Sequence, residues 1–408
     1  MQGVKTLFGK VIGQRTSRVE DEQRLHAERI ARAALKLYGL RDAEVELLTH
    51  GFVQVFRVRS VSRGAFALRL YNLPEAIRKP DLEPLPADPR RRVRAHLRSP
   101  GVLRWQMHWR SALRRDTGLL VPEPVLTLDG ELVGEVTVKL TTWRKPGLAP
   151  ERRRSALLRW VPGVHKGADL TEADLLRVGS FVARMHDHAR GYAAPEGSEF
   201  PRWDWHWPFG ETVLLWSEGR KFYSEEEMET YRQAAQRVYK RLEELGEGRD
   251  VFGLIHFDVA LRNVVFSGER VGVIDFDGCG LGYYLLDLAT FCRSLQNTLP
   301  AERSGSLWEA FLRGYASVRP LPEHIHAHLD RYLLTFNVMK RVAAVSRRLE
   351  LLSSDPGGAE HEARERWLRF LSTSHEWLRK RVQHLSVLPG ALDGLPFYGL
   401  CNLPGTGV

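Results

Sequence analysis

The stretch from Leu254 to Ala289 limits what this chain can fold into more than any other. It reads L-I-H-F-D-V-A-L-R-N-V-V-F, then V-G-V-I-D-F-D-G-C-G, then L-L-D-L-A. Leu254-Ile255 and Val271 to Ile274 have the composition of short buried strands. Each strand delivers polar residues at its end: His256, Asp258 and Asn263 after the first, Asp275 and Asp277 after the second. A loop that carries Asp258 and Asn263 five residues apart can aim both at one cleft, and the following strand brings Asp275 beside them. Such a set suits phosphoryl transfer. That chemistry needs a residue to orient the attacking hydroxyl and oxygen ligands to hold magnesium against phosphate. Asp258 suits the first task, and Asn263 with Asp275 the second. Asp277 is read either as a further magnesium ligand or as a cap of its loop. H-x-D-x-x-x-x-N alone is a weak signal. The apolar strand, the D-x-D and the Asp287 that opens the next helix make coincidence a poor explanation.

The rest of the chain supplies the frame. Residues 1–24 are polar and basic without a period and are read as an extension. From Leu25 to Tyr38 the apolar residues Ile30, Ala33, Ala34 and Leu37 have helical spacing, which stops at Gly39. Alternation then takes over at Val45 and Leu47, at Val53, Val55, Phe56 and Val58, and at Phe66, Leu68 and Leu70. This predicts a three-stranded antiparallel meander. A basic, Pro-rich stretch leads to a helix around Leu103 to Arg115, and Leu132 to Leu140 and Ala156 to Val161 read as two more strands. Pro162-Gly163 reads as a hinge. Beyond it the helical period dominates: a capping box at Thr171 and Asp174, a stripe from Met228 to Leu245 that ends at Gly246, and long helices over Glu323 to Leu352 and Glu362 to Leu385. The division predicted is an N-terminal nucleotide-binding lobe over residues 25–161, a catalytic and acceptor-binding lobe over 162–388, and a tail over 389–408.

No apolar run approaches the ~18 residues of a membrane span and no signal-like start is present, so a cytoplasmic location is expected. Cys279, Cys292 and Cys401 have no metal-ligand spacing and are read as inert thiols. A net charge of +10 draws the protein toward anions without choosing among them. The runs around Arg90 to Arg98 and at Arg152, Arg153 and Arg154 lack interleaved aromatics. They are therefore read as solvated loop or helix faces rather than a nucleic-acid patch.

On these residues the chain resembles the aminoglycoside phosphotransferase and choline-kinase-like enzymes, nearer to bacterial stress-response-kinase and homoserine-kinase-like members. That family shares the protein-kinase fold. Its catalytic loop H-x-D-x-x-x-x-N and metal loop I-D-x-D are matched by His256, Asp258, Asn263, Asp275 and Asp277. Arg114 to Val125, Leu157 to Gly163 and L-L-D-L-A extend the likeness, so that it covers roughly Val45 to Tyr315. The resemblance implies a two-lobed α/β (α+β) fold with a small antiparallel sheet and a larger helical lobe. It also implies ATP and Mg²⁺ as cofactors and transfer of the γ-phosphoryl group to a hydroxyl of a small metabolite or of a protein Ser/Thr side chain. ATP is expected under the hinge near Leu158 and Trp160, beneath a loop containing Gly51, with its phosphates gripped by Arg69.

Several positions depart from the pattern. Gln106 stands where a helix glutamate would pair with Arg69, Ala260 replaces a histidine or lysine, and the phosphate loop has the single glycine Gly51. Arg262, just before Asn263, is read either as a cation for the transferring phosphate or as a solvent-facing arginine. His256 is expected to be scaffold, Asp287 a backbone anchor of the catalytic loop. The cluster Trp203, Trp205, Trp207, Phe209 and Trp216 is read as core packing ahead of an acceptor pocket. These departures keep a second reading open, a nucleotide-binding pseudokinase without turnover.

Overall fold

The computed structural model describes residues 24–49, 53–72, 99–138, 151–354 and 361–385. These fall into two compact units. The first holds residues 24–49, 53–72, 99–111, 122–138 and 151–160, the second 112–121, 161–354 and 361–385.

In the first unit, helix α1 (residues 24–36) precedes strands β1 (Glu44–Thr49), β2 (Val53–Ser60) and β3 (Gly64–Asn72). Helix α2 (Pro100–Thr117), whose last turn belongs to the second unit, is followed by β4 (Pro124–Val125), β5 (Gly134–Val138) and β6 (Glu151–Arg159). The strands form an antiparallel sheet in the order β1-β2-β3-β6-β4, with β5 also paired to β6. Side-chain alternation decides what each face meets. Phe66, Leu68 and Leu70 join Phe56, Val58 and Leu157 under Ala27, Ile30, Ala31 and Ala34 of α1. Tyr71, Ala156 and Leu158 lie on the other face with Leu103 and Met107 of α2. Each fully buried aliphatic or aromatic side chain contributes about 1.5–3 kcal/mol.

Two expectations are corrected here. The strand expected from Ala156 begins at Glu151, so Arg152, Arg153 and Arg154 lie in β6 and not in a solvated loop or helix. Register overrides charge: Arg154 pairs across from Tyr71 and Arg153 from Asn72, and both arginines are buried. Arg152 meets a carboxylate on the neighbouring strand, its Nε donating to Glu135 Oε1 at 3.0 Å. The run at Arg90 to Arg98 lies outside the described residues.

The second unit contains helices α3 (Glu172–Gly191), α4 (His206–Phe209), α5 (Leu214–Glu218), α6 (Glu225–Leu245), α7 (Tyr284–Thr298), α8 (Ala301–Ala316), α9 (Glu323–His326), α10 (Leu329–Ser354) and α11 (His361–Arg381). Strands β7 (Arg202–Trp203), β8 (Phe252–Ile255) and β11 (Gly280–Tyr283) make one small sheet, and β9 (Val264–Ser267) and β10 (Arg270–Val273) a hairpin. The capping box at Thr171 and Asp174 opens α3 as the spacing predicts, and a second one at Ser224 and Glu227 opens α6. The helix expected over Glu323 to Leu352 is broken between His326 and Leu329. Helices α3 and α8 approach closely because both carry glycine at the crossing. A Cβ at Gly179 would stand 2.0 Å from Phe311 O, and one at Gly314 2.0 Å from Leu176 O. This approach brings His186 of α3 to Tyr315 of α8. No helix of the described residues is long and apolar enough to cross a membrane.

Candidate active site

Residues 256–263 connect β8 to β9, and the backbone of this loop is held from several elements. Asp287, in the first turn of α7, is fully buried; its carboxylate accepts the His256 N–H at 2.9 Å and the Phe257 N–H at 2.7 Å. His186 donates from Nε2 to the same carboxylate at 3.1 Å, and its Nδ1 accepts from the Tyr315 hydroxyl at 3.0 Å. Burial pushes the His186 imidazole down, which keeps it neutral in this arrangement. Further along the loop, the Leu261 N–H donates to Ser294 Oγ at 2.8 Å. Asp287 is thus the backbone anchor that its position at the head of a helix suggested.

His256 ties this loop to the next. The Asp258 N–H donates to its Nδ1 at 3.2 Å, so the ring proton sits on Nε2 and points at Ile274 O, 3.1 Å away. The ring is buried and its basicity lowered by that burial, as a scaffold residue requires. The Ile274 N–H donates to Asn263 O at 2.9 Å. Both polar groups of Ile274 are therefore bonded to the 256–263 loop, and Asp275 follows directly. Asp275 takes φ 67°, ψ 61°, a left-handed conformation that costs a non-glycine residue about 1–3 kcal/mol and persists only where the surroundings impose it.

Asn263 is buried, and its Nδ2 donates to Asp258 O at 2.9 Å and Asp258 Oδ2 at 3.0 Å. With the amide nitrogen committed to Asp258, the donor atom that Asn263 can offer a cation is its oxygen. Arg262 lies across the same carboxylate, Nη2 at 2.9 Å from Oδ1 and 2.7 Å from Oδ2. The structure thus brings Asp258, Arg262 and Asn263 into one hydrogen-bonded group and ties the backbone before Asp275 to it. Asp277 sits in a 3-10 turn two residues on.

The aromatic cluster divides. Trp203 stacks on Phe257 at 4.1 Å and Trp207 meets the same ring edge-on at 5.0 Å, while Trp203 Nε1 donates to Gly278 O. Trp205 and Trp216 turn to other backbone carbonyls, those of Ala235 and Phe209. Two of the five aromatics thus brace the 256–263 loop by packing.

Lys340 of α10 carried no sequence signal. Its Nζ donates to Phe257 O at 2.7 Å and Thr290 Oγ1 at 2.8 Å, and lies 4.5 Å from the Phe257 ring centre. The Thr290 hydroxyl donates to Leu286 O, so it can accept from the lysine. Phe257 has φ 72°. Its strained peptide is gripped at both ends, by Asp287 on the N–H and Lys340 on the carbonyl. Burial lowers the Lys340 ammonium to about 8 although Asp258 and Asp287 oppose the shift. An ordinary lysine titrates near 10.4, so between these values the unfolded chain binds more protons and stability rises with pH. Wild type is expected to gain stability over about pH 8–10.4 relative to Lys340→Met, by at most ~3 kcal/mol. Thermal unfolding of both proteins across that range checks this, and parallel curves would refute it.

In the first unit, Arg69 is half-buried on β3, paired in register with Val55 and Ala156. Leu158 is buried on β6 opposite Ala67. Trp160 donates its N–H to Ala65 O, and the Arg57 guanidinium lies over its ring at 4.8 Å. Gln106 is fully buried on α2. Gly51 lies outside the described residues. Thr290 and Ser294, which sequence reading passed over, were open to it: they follow Asp287 by three and seven residues and share its stripe of α7.

A family model for the phosphotransferase enzyme family matches residues 44–321. Among solved structures, the chain is similar to a microcompartment-associated aminopropanol kinase, at 24% identity and a TM-score of 0.64, covering 88% of this chain and 99% of that one. It is also similar to an amicoumacin kinase in complex with AMP-PNP, Ca²⁺ and Ami, at 17% identity and 0.63, covering 90% and 96%. A spectinomycin phosphotransferase in complex with ADP and spectinomycin follows at 13% and 0.52, covering 88% and 98%. No curated protein sequence matches the chain.

Proposed function

Because the chain belongs to the phosphotransferase enzyme family, we propose that it transfers the γ-phosphoryl group of ATP to a hydroxyl of a small molecule, with Mg²⁺ as the metal and in the cytoplasm. The observation that carries this reading is the bond from Asn263 Nδ2 to the Asp258 carboxylate, with the metal loop anchored to Asn263 through Ile274. Asp258 orients the acceptor hydroxyl and takes its proton as oxygen attacks the γ-phosphorus, while the bond to the leaving ADP oxygen breaks. Arg262, which has several donors in one planar fork, is shared between that carboxylate and the transferring phosphate. Arg69, Leu158, Trp160, Gln106 and the Gly51 loop are assigned to the nucleotide.

The donor set fits magnesium. Asn263 and Asp275 offer hard oxygens, with Asp277 as a further ligand, and magnesium takes one or two carboxylates and completes its shell with phosphate and water. Bound there, magnesium would offset phosphate charge. Thermal stability is expected to rise more with ATP plus Mg²⁺ than with ATP alone, through binding to the native state. Asp275→Ala is expected to lose the magnesium-dependent part. A variant that gains as much from Mg²⁺ as wild type would remove Asp275 from the metal site.

A screen of hydroxyl compounds for ATP consumption, run beside a self-phosphorylation assay, tests the acceptor. Turnover with small hydroxyl compounds supports the reading; phosphorylation confined to protein would overturn its small-molecule part.

A further inference from the structure

Helices α10 and α11 bring three arginines together, and a fourth lies on α7. Arg341 and Arg348 are seven residues apart on α10, and Phe370 and Trp377 seven apart on α11, so each pair shares one helix face. The Arg341 guanidinium lies 4.8 Å over Phe370 and 5.7 Å over Trp377. Arg348 covers the same Phe370 ring at 4.3 Å, and Arg381 covers Trp377 at 4.7 Å. Arg293 of α7 is the remaining cation within electrostatic reach of Arg341.

Arg341 is only 6% exposed. Its Nε is buried without a hydrogen-bond partner, and neither it nor Arg348 has a carboxylate partner among the described residues. Aromatic faces return to a cation less than burying an unpaired ion costs. Three further guanidiniums increase that cost. Burial and these neighbours lower Arg341 to about 10, far below an ordinary arginine. A buried cation surrounded by like charge is balanced most directly by a bound anion, and guanidinium forks suit the oxygens of phosphate, sulfate or carboxylate.

Two neighbours of the cluster relate it to the loop that carries Asp258. Lys340, adjacent to Arg341, holds the Phe257 carbonyl, and Arg293 lies within electrostatic reach of Lys340 as well as of Arg341. Arg293 also neighbours Ser294, which receives the Leu261 N–H.

We propose that Arg341, Arg348, Arg381 and Arg293 bind an anionic group carried by the acceptor, so that the substrate is a hydroxyl compound bearing a phosphate, sulfate or carboxylate. The acceptor half of this inference rests on the reading of Asp258 as the residue that orients the hydroxyl; the anion site does not.

The full chain is unfolded thermally in chloride buffer with increasing inorganic phosphate. A saturable rise in Tm is expected for wild type and for Arg69→Gln, in which a phosphate-gripping candidate of the first unit is removed. The rise is expected to disappear in Arg341→Met and to weaken in Arg348→Gln, a half-buried position less disturbing to the fold. Without phosphate, Arg341→Met is expected to be at least as stable as wild type, because an apolar side chain replaces an unpaired ion. An Arg341→Met protein that is less stable, together with a wild type indifferent to phosphate, would show the charge satisfied within the chain and overturn the site. The second arm compares ATP consumption for hydroxyl compounds that differ only in a phosphomonoester or carboxylate. The anionic member is expected to be preferred, with its KM raised about 10–100-fold in Arg348→Gln, the range for a lost charge-assisted hydrogen bond. Equal use of neutral and anionic members, with phosphate still stabilising, would assign the site to free anion and overturn the acceptor half. Phosphate stabilisation without any ATP consumption would retain the site and remove the kinase reading instead.

Discussion

The Asp258→Asn variant is expected to turn over about 10²–10⁴-fold more slowly than wild type, the range for a positioned general base, with nucleotide affinity little changed. The asparagine keeps the size of the side chain, and its oxygen can still accept one bond. It loses the charge and the capacity to take the hydroxyl proton. The surroundings sharpen the expectation, because Asn263 Nδ2 and Arg262 Nη2 both donate to this carboxylate. An amide cannot satisfy both if its nitrogen faces either donor. Arg262→Gln separates the two effects: it removes the ion pair and leaves the base in place, so it is expected to cost less than Asp258→Asn. The pair is exposed on the arginine side, 69% against 28% for the aspartate, so its own contribution to stability is small. Steady-state rates and nucleotide titrations on the three proteins decide the matter. Wild-type turnover in Asp258→Asn would remove Asp258 from the mechanism, and a wild type with no turnover for any acceptor would favour the pseudokinase reading that Gln106 and Ala260 left open.

What could be read from the sequence followed the range of the interactions involved. The candidate site residues are legible because they lie within one stretch of two short strands and their loops, where spacing alone brings groups together. The Thr171 capping box and the scaffold role of His256 are local in the same sense. Lys340 was illegible because its partners at Phe257 and Thr290 are 83 and 50 residues away, and nothing in the pattern of a long helix marks one lysine for such contacts. The arginine cluster of α10 and α11 depends on two helices meeting, which a pattern along either helix does not specify. Arg153 and Arg154 were misread for a related reason. A charge run suggests solvent only when no sheet claims the backbone, and here β6 pairs with β3 on one side and β4 and β5 on the other. The glycines at the α3 and α8 crossing look like helix-weakening residues in sequence, and only the 2.0 Å approach explains them.

Removing the Asp287 carboxylate is expected to have the largest effect on stability. Asp287→Ala leaves the N–H groups of His256 and Phe257 and the Nε2 of His186 without their acceptor, all in a fully buried environment. One unsatisfied buried group costs about 1–3 kcal/mol, and dismantling one side of a buried charged network about 3–5 kcal/mol, which is the loss expected here. The strain at Phe257 adds a functional consequence. Its φ of 72° is held by Asp287 on the N–H, Lys340 on the carbonyl and Trp203 on the ring, so removing the first restraint lets the peptide relax and carries Asp258 with it. Turnover is therefore expected to fall even where the variant is still folded. Asp287→Asn retains one acceptor oxygen and is expected to fall between wild type and Asp287→Ala in both stability and rate. Denaturant unfolding gives the first ordering and steady-state kinetics the second. An Asp287→Ala protein within about 1 kcal/mol of wild type, the scale of a single net hydrogen bond, would show that the loop does not depend on this clamp.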